Sequence, residues 1–135
     1  MIKVSKMTDY AVVILADMAL RKGQLISSTV LAESTNLPEP TVSKILKLLA
    51  RQKIVASTRG TNGGYALNQE PDTINMALIV AATDGPIALT ACVDESSDCC
   101  ERADSCSMKG QWNPVNQAMN EALANVSLKQ MMGSR

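Results

Sequence analysis

The residues of this chain that can do chemistry are concentrated in one short segment. All four cysteines, Cys92, Cys99, Cys100 and Cys106, lie within fifteen residues, and the 135-residue chain contains no histidine. Because imidazole is absent, Ser–His and Cys–His nucleophiles and histidine metal ligands are excluded. The remaining chemistry is that of thiolates in a single loop.

The surroundings of the cysteines favour metal ligation over nucleophilic catalysis. Five carboxylates lie between Cys92 and Cys106, and Arg102 is the one cation among them. Neighbouring negative charges oppose the formation of free thiolates, whereas a reactive cysteine needs positive surroundings. A bound metal would supply that charge and deprotonate the thiols. The alternatives are a thiol-redox protein and cysteines that serve only as small unliganded residues.

The spacing of the cysteines favours an iron–sulfur cluster over structural zinc. Structural zinc sites use Cys-x₂₋₄-Cys pairs, and this chain has none. Adjacent Cys99 and Cys100 are poorly suited to bind one ion together, which leaves three thiolates without a fourth. Three loosely spaced cysteines with a weak non-cysteine ligand suit a labile cluster, with 2Fe–2S favoured over 4Fe–4S.

The elements that must position this segment are predominantly helical. Apolar residues recur from Ser5 to Arg21 with Ser5 or Thr8 available as a cap, and a short helix follows, capped by Ser27 or Ser28. After a Ser/Asn/Pro break, another helix begins at Glu39–Pro40. Its apolar stripe follows the helical period and consists of Val42, Ile45, Leu46 and Leu49. Its predicted outer face carries Thr41, Ser43, Lys44, Lys47 and Arg51.

This arrangement of a short helix, a turn and a helix with a basic outer face is typical of a helix-turn-helix. A β-hairpin directly after it would be a wing. Residues 54–58 and 65–67 are strand-like and are joined by residues 59–64, in which Asn62–Gly63 favours a hairpin because both residues accept positive φ. Arg59, near the tip, could enter a DNA minor groove. The alternatives are an ordinary helical hairpin with solvated lysines and an arginine exposed in a turn.

The charge distribution favours DNA as the partner. Residues 1–60 carry nine Lys/Arg and four Asp/Glu, whereas residues 61–135 carry four and nine, so the neutral chain has one basic half. With Tyr10, Tyr65 and Trp112 as the only aromatic residues, stacking on single strands is disfavoured and double-stranded DNA is predicted. Neither an enzymatic activity nor a small-molecule substrate is expected.

The acidic half predicts two more helices. One is capped by Asp72 or Thr73 and ends at Gly85–Pro86, and the other begins at Asn113–Pro114 and is about 20 Å long. The apolar positions of the second helix are Val115, Ala118, Met119, Ala122, Leu123 and Val126. This stripe either packs on its own domain or forms an isologous dimer, which we favour because a winged helix usually reads two half-sites.

The predicted fold class is therefore mostly α with a small β-hairpin wing: a winged helix-turn-helix plus a long C-terminal dimerisation helix. Residues 1–70 form the DNA-binding region, and residues 71–135 form the cysteine loop and dimerisation helix, within a single compact domain. Neither a signal peptide nor a membrane span is expected, and the predicted location is cytoplasmic.

These features together resemble the IscR/NsrR-type family of iron–sulfur winged-helix regulators, and most closely its branch that regulates SUF cluster assembly. The resemblance covers nearly the whole chain. Its segments are SKMTDYAV from Ser5, LPEPTVSK from Leu37, RGxxGGY from Arg59, GPIALTxC from Gly85, and the spaced cysteines followed by Trp112. It implies a homodimeric repressor that binds a palindromic promoter, with the suf operon as the expected target. A nitric oxide or oxidative-stress sensor of another regulon is the alternative.

The resemblance also implies which residues act. The cluster ligands would be Cys92, Cys100 and Cys106, and Cys100 is preferred to Cys99 because its spacing to Cys106 resembles the family's. The histidine that some relatives use is missing, since Lys109 and Gly110 occupy that neighbourhood.

Other relatives recruit an aspartate from the partner's first helix, so the partner subunit's Asp9 is the candidate fourth ligand. The alternative is that Asp9 merely favours the start of its own helix. Thr41, Ser43 and Lys44 match the family's base-reading positions, and Arg59 matches its wing arginine.

Overall fold

The computed structural model describes residues 2–21, 23–90 and 105–133, so Cys92, Cys99 and Cys100 lie outside the described residues. The elements in these ranges are α1 (Lys6–Leu20), α2 (Ser28–Thr35), α3 (Glu39–Arg51), β1 (Val55–Thr58), β2 (Gly64–Leu67), α4 (Met76–Asp84), α5 (Asn113–Ala124) and α6 (Leu128–Met131). This order of helices around one antiparallel hairpin confirms the predicted fold class. Within the described ranges, no helix is both long and apolar enough to cross a membrane.

Helix α1 lies at the centre of the fold. It begins after Ser5, whose hydroxyl accepts a hydrogen bond from the Thr8 N–H at 3.2 Å, as a helix cap does. Ala11, Ile14 and Leu15 on α1 are fully buried. The helix packs against α2, α3, α4 and α6, so one apolar core holds both the N-terminal and the C-terminal elements.

Helices α2 and α3 form the helix-turn-helix. Ser27 caps the start of α2, and Asn36 caps its end in the left-handed conformation (φ 60°), which asparagine tolerates. Helix α3 then begins at Glu39–Pro40, as predicted. The four predicted stripe residues of α3 are all fully buried: Val42, Ile45, Leu46 and Leu49.

The predicted hairpin forms, but neither Asn62 nor Gly63 has the positive φ that the sequence suggested. Pairing runs from Val55 opposite Leu67 to Thr58 opposite Gly64, so the loop has five residues, 59–63, one fewer than the predicted connection 59–64. Of the loop residues, Gly60 has the positive φ, at 115°. Gly63 is needed for another reason: a Cβ there would overlap the Thr58 carbonyl oxygen.

The C-terminal elements also differ in detail from the predictions. The cap of α4 is Asn75, whose side chain accepts from the Leu78 N–H at 2.9 Å, and not Asp72 or Thr73. Helix α5 ends at Ala124, before the predicted Val126, because the chain turns back towards the start of α4. There the Val126 carbonyl accepts from the Met76 N–H at 2.9 Å.

Candidate functional site

The surface of α3 that faces away from the core is basic. At roughly 100° per residue, Lys44, Lys47 and Arg51 lie within about 60° of one another, opposite the buried stripe. All three side chains are exposed. Thr41 and Ser43 lie on the two flanks of this face and are half-buried. Among the predicted contacts on α3, the cations are therefore the most accessible.

Within the described residues, the cations of this surface have no ion-pair partner. Over the part of the chain that the structure describes, the one ion pair joins Arg21 to Asp17 at 3.6 Å, on α1 and its C-terminal cap. The acidic residue at the start of α3, Glu39, accepts a hydrogen bond from Ser28 at 2.8 Å. Unpaired cations on one helix face are what phosphate contacts require.

The wing, which is the hairpin of β1 and β2, is also basic. Arg59 directly follows β1, at the start of the hairpin loop, and its side chain is exposed. None of the described residues of β1, β2 or their loop is acidic. A guanidinium at this position is suited to phosphate or minor-groove contact.

The wing is held to the helices by a contact that the sequence did not reveal. Ile26, between α1 and α2, forms an antiparallel bridge with Tyr65 of β2, with two backbone hydrogen bonds of 2.8 Å. The bridge brings the backbone of Ile26 so close that a Cβ on Gly64 would lie 2.6 Å from the Ile26 oxygen. The adjacent glycines at 63 and 64 were a signal, but the partner of Gly64 lies far away in the sequence.

Of the predicted cluster ligands, Cys106 and Asp9 lie within the described residues. Cys106 is half-buried, is not in a disulfide, and precedes a series of turns that leads into α5. Its carbonyl accepts from the Lys109 N–H at 3.3 Å. The described residues contain no group of three or more potential metal ligands, so the structure does not bring a ligand set together within them.

Asp9 lies at an apolar cleft between α1 and the C-terminal helices. The cleft has a volume of about 280 Å³. Its lining residues are Val4, Thr8, Asp9, Val12, Met76, Val80, Leu123, Val126 and Met131. The Asp9 side chain is exposed and forms no ion pair within the described ranges. Its carboxylate is therefore accessible to a group from outside the protomer.

A polar network next to Asp9 joins the start of α1 to the end of α4. Ser5 and Thr8 donate to the Asp84 carboxylate at 2.7 and 2.9 Å, and the hydroxyls of Thr8 and Thr83 are 2.6 Å apart. Thr8 is 3% exposed, so its hydroxyl depends on these partners. The sequence indicates Thr8 only as a possible cap, because its partners in this network lie 75 and 76 positions away.

The apolar stripe of α5 is only partly covered in one protomer. No residue of α5 is buried. Val115, Ala118 and Ala122 are exposed, whereas Met119 and Leu123 are half-buried. Within the described residues, no element buries this stripe fully, and a twelve-residue helix is marginal in water without packing.

A helix-turn-helix whose second helix has a basic outward face, followed by a wing, defines the chain as a winged-helix DNA-binding regulator. Residues 4–134 match the Rrf2 family, described as iron-dependent transcriptional regulators, and the chain belongs to this family.

Two curated relatives illustrate the similarity. The chain is 25% identical to the HTH-type transcriptional regulator IscR of Sodalis glossinidius over 126 residues, which cover 93% of this chain and 75% of that protein. It is 25% identical to the HTH-type transcriptional regulator NsrR of Bacillus subtilis over 134 residues, which cover 98% and 92%. These relatives are transcriptional regulators and not enzymes.

A solved structure gives the same result for the fold. The structure of CymR, the global cysteine regulator of B. subtilis, superimposes with a TM-score of 0.73 at 27% sequence identity. The match covers 100% of this chain and 99% of CymR.

Proposed function

We propose that this protein is a homodimeric transcriptional repressor whose binding to promoter DNA depends on an iron–sulfur cluster, and that it controls the suf cluster-assembly operon from the cytoplasm. The observation that carries the DNA-binding part is the outward face of α3, where Lys44, Lys47 and Arg51 are exposed without ion-pair partners among the described residues. Thr41 and Ser43 would contact bases from the flanks of this face, and Arg59 would contact the adjacent minor groove.

Two described donors fit the proposed cluster. The Cys106 thiol is half-buried and unpaired, as a soft ligand in a protected site should be. The Asp9 carboxylate is exposed beside an apolar cleft, where it can supply a weak oxygen ligand to a partner subunit. Cys92 and Cys100 would complete the set. When bound, the cluster would supply an iron centre that reacts with oxidants or nitric oxide.

The dimer would form through α5. A second copy would cover its exposed alanines and Val115, and the same contact would bring one subunit's Asp9 towards the other subunit's cysteines. Ala122→Glu places a charge on this stripe, whereas Ala124→Glu places the same charge on the opposite face of α5, where the side chain is also exposed. Sedimentation should show monomers for the first variant and dimers for the second. Dimers in both would contradict the assignment of α5.

The cluster is tested by anaerobic purification. The wild type should carry iron and sulfide with a visible absorbance band, and Cys92→Ala should be colourless. Cys99→Ala is the matched control and should retain the colour if Cys100 is the ligand. DNA binding is then compared before and after cluster removal, with nitric oxide titration to distinguish the second sensing role. Iron-free protein whose DNA affinity is the same in every redox state would refute the proposal.

A further inference from the structure

Asn116 connects α5 to the segment that leads into the cysteines. Its side-chain oxygen accepts a hydrogen bond from the Leu89 N–H at 3.0 Å, and its side-chain nitrogen donates to the Ile87 carbonyl at 2.8 Å. Both polar groups of the Asn116 side chain are therefore hydrogen-bonded to backbone groups that are 27 and 29 residues away in the sequence. Such a two-point contact fixes the position and the direction of the chain at residues 87–89.

The chain that follows Cys106, the last cysteine, leads into the same helix α5. After Cys106, successive turns lead into the first turn of α5, where the Asn113 N–H donates to the Gly110 carbonyl at 3.2 Å. The Asn116 N–H donates to the Trp112 carbonyl at 2.9 Å. The bond to Trp112 is an ordinary i to i−4 bond of α5, so it is the side chain of Asn116 that joins the entering chain to the helix that follows Cys106.

The neighbouring amides do not share this role. Asn116 lines a cleft of about 500 Å³ between α4 and α5, together with Asn113, Gln117 and Asn120. Gln117 donates to Glu121 on its own helix at 3.0 Å. Within the described ranges, no side-chain hydrogen bond joins Asn113, Gln117 or Asn120 to residues 87–89. The contact is therefore specific to Asn116 and is not a general property of a polar cleft.

We infer that Asn116 is a positioning residue for the segment from Cys92 to Cys106, which carries the proposed metal ligands. Its amide holds residues 87–89 against α5, so the chain is attached to this one helix on both sides of that segment. The inference rests on the proposed function. Leu89 is three residues before Cys92 in the sequence, and after Cys106 the chain leads through turns into α5. Holding Leu89 on the same helix that follows Cys106 would shorten the stretch of chain that must be ordered when a cluster binds, and so would lower the entropy lost on binding.

The test uses the full chain and three variants. Asn116→Ala removes both hydrogen bonds, and Asn116→Asp keeps the acceptor for Leu89 but cannot donate to Ile87. Asn120→Ala is the control, because Asn120 lines the same cleft, is exposed and has no side-chain hydrogen bond within the described ranges. The first measurement is the rate at which anaerobic holoprotein loses its absorbance to an iron chelator. Asn116→Ala should lose the cluster about tenfold faster than wild type or Asn120→Ala, and Asn116→Asp should fall between them.

A second measurement does not depend on the cluster. In iron-free protein, hydrogen exchange of the Leu89 amide should be slow in the wild type and in Asn120→Ala, and fast in Asn116→Ala, with the melting temperature recorded for each. If Asn116→Ala retains the wild-type rates of cluster loss and of Leu89 exchange, the inference is overturned. If wild type never binds iron but Leu89 exchange responds as described, the proposed function fails while the contact itself is upheld.

Discussion

The substitution Lys47→Gln tests whether the basic face of α3 contacts DNA phosphate, and it distinguishes this role from an effect on folding. The variant removes one cation per protomer from an exposed helix position, and Gln and Lys have similar helix propensities. Each lost phosphate contact should reduce the slope of log K against log salt by about 0.9, and a dimer loses two, so the slope should fall by about 1.8. At 0.1 M salt this corresponds to roughly tenfold weaker binding per contact, and the wild-type and variant lines should converge near 1 M.

The effect on folding stability should have the opposite sign. Lys47 lies three residues from Lys44 and four from Arg51, and like charges at these spacings destabilise a helix by about 0.2–0.5 kcal/mol per pair. Removing Lys47 should therefore raise the free energy of unfolding by about 0.5 kcal/mol while DNA affinity falls. A variant that bound weakly because it was misfolded would show a loss in both quantities.

The assay is fluorescence anisotropy with a mixed-sequence duplex at several salt concentrations, together with urea denaturation. Lys129→Gln is the matched control, because it makes the same charge change at an exposed position on α6. It should leave the salt slope unchanged. If Lys47→Gln and Lys129→Gln have the same slope, the assignment of the α3 face to DNA phosphate is wrong. A change of about 0.9 instead of 1.8 would indicate that one protomer binds alone.

Three further substitutions test the structural account. Gly64→Ala should weaken duplex binding and lower the melting temperature, because its Cβ would lie 2.6 Å from the Ile26 oxygen; unchanged melting would contradict that contact. Thr8→Val should reduce the free energy of unfolding by about 1–3 kcal/mol in urea denaturation, because it strips a buried hydroxyl from Asp84, and Thr8→Ser should lose less. Lys53→Gly should stabilise the protein by about 0.5–1 kcal/mol, since Lys53 has φ 61°, whereas Lys53→Ala should give no such gain.

Periodicity was sufficient to predict the helix-turn-helix. The spacing of Val42, Ile45, Leu46 and Leu49 identified the buried side of α3, and Ser5 and Ser27 were among the predicted caps. These features depend on residues within one turn of each other, which is the range over which a sequence pattern carries information. The cations of α3 followed directly, because fixing the buried side also fixes the outward side.

The features that the sequence predicted wrongly or missed are contacts between segments that are distant in the sequence. Thr73 resembles a helix cap, but its hydroxyl donates to the Glu70 carbonyl at 2.8 Å within a turn. The chain then pairs with the segment before α6, with the Leu128 N–H donating to the Ile74 carbonyl at 2.7 Å, and this delays the start of α4 to Met76. The bridge from Ile26 to Tyr65 was likewise not predictable, since nothing in either local pattern specifies the other.

That bridge restricts how DNA affinity can be regulated. Because β2 of the wing shares two 2.8 Å backbone hydrogen bonds with the connection between α1 and α2, the wing cannot move relative to that connection without breaking them. In the proposed dimer, each protomer would then present its wing and its helix-turn-helix to DNA as one unit. A signal from the proposed cluster would act most simply by altering the distance or the angle between the two units, and operators with altered half-site spacing should expose that difference.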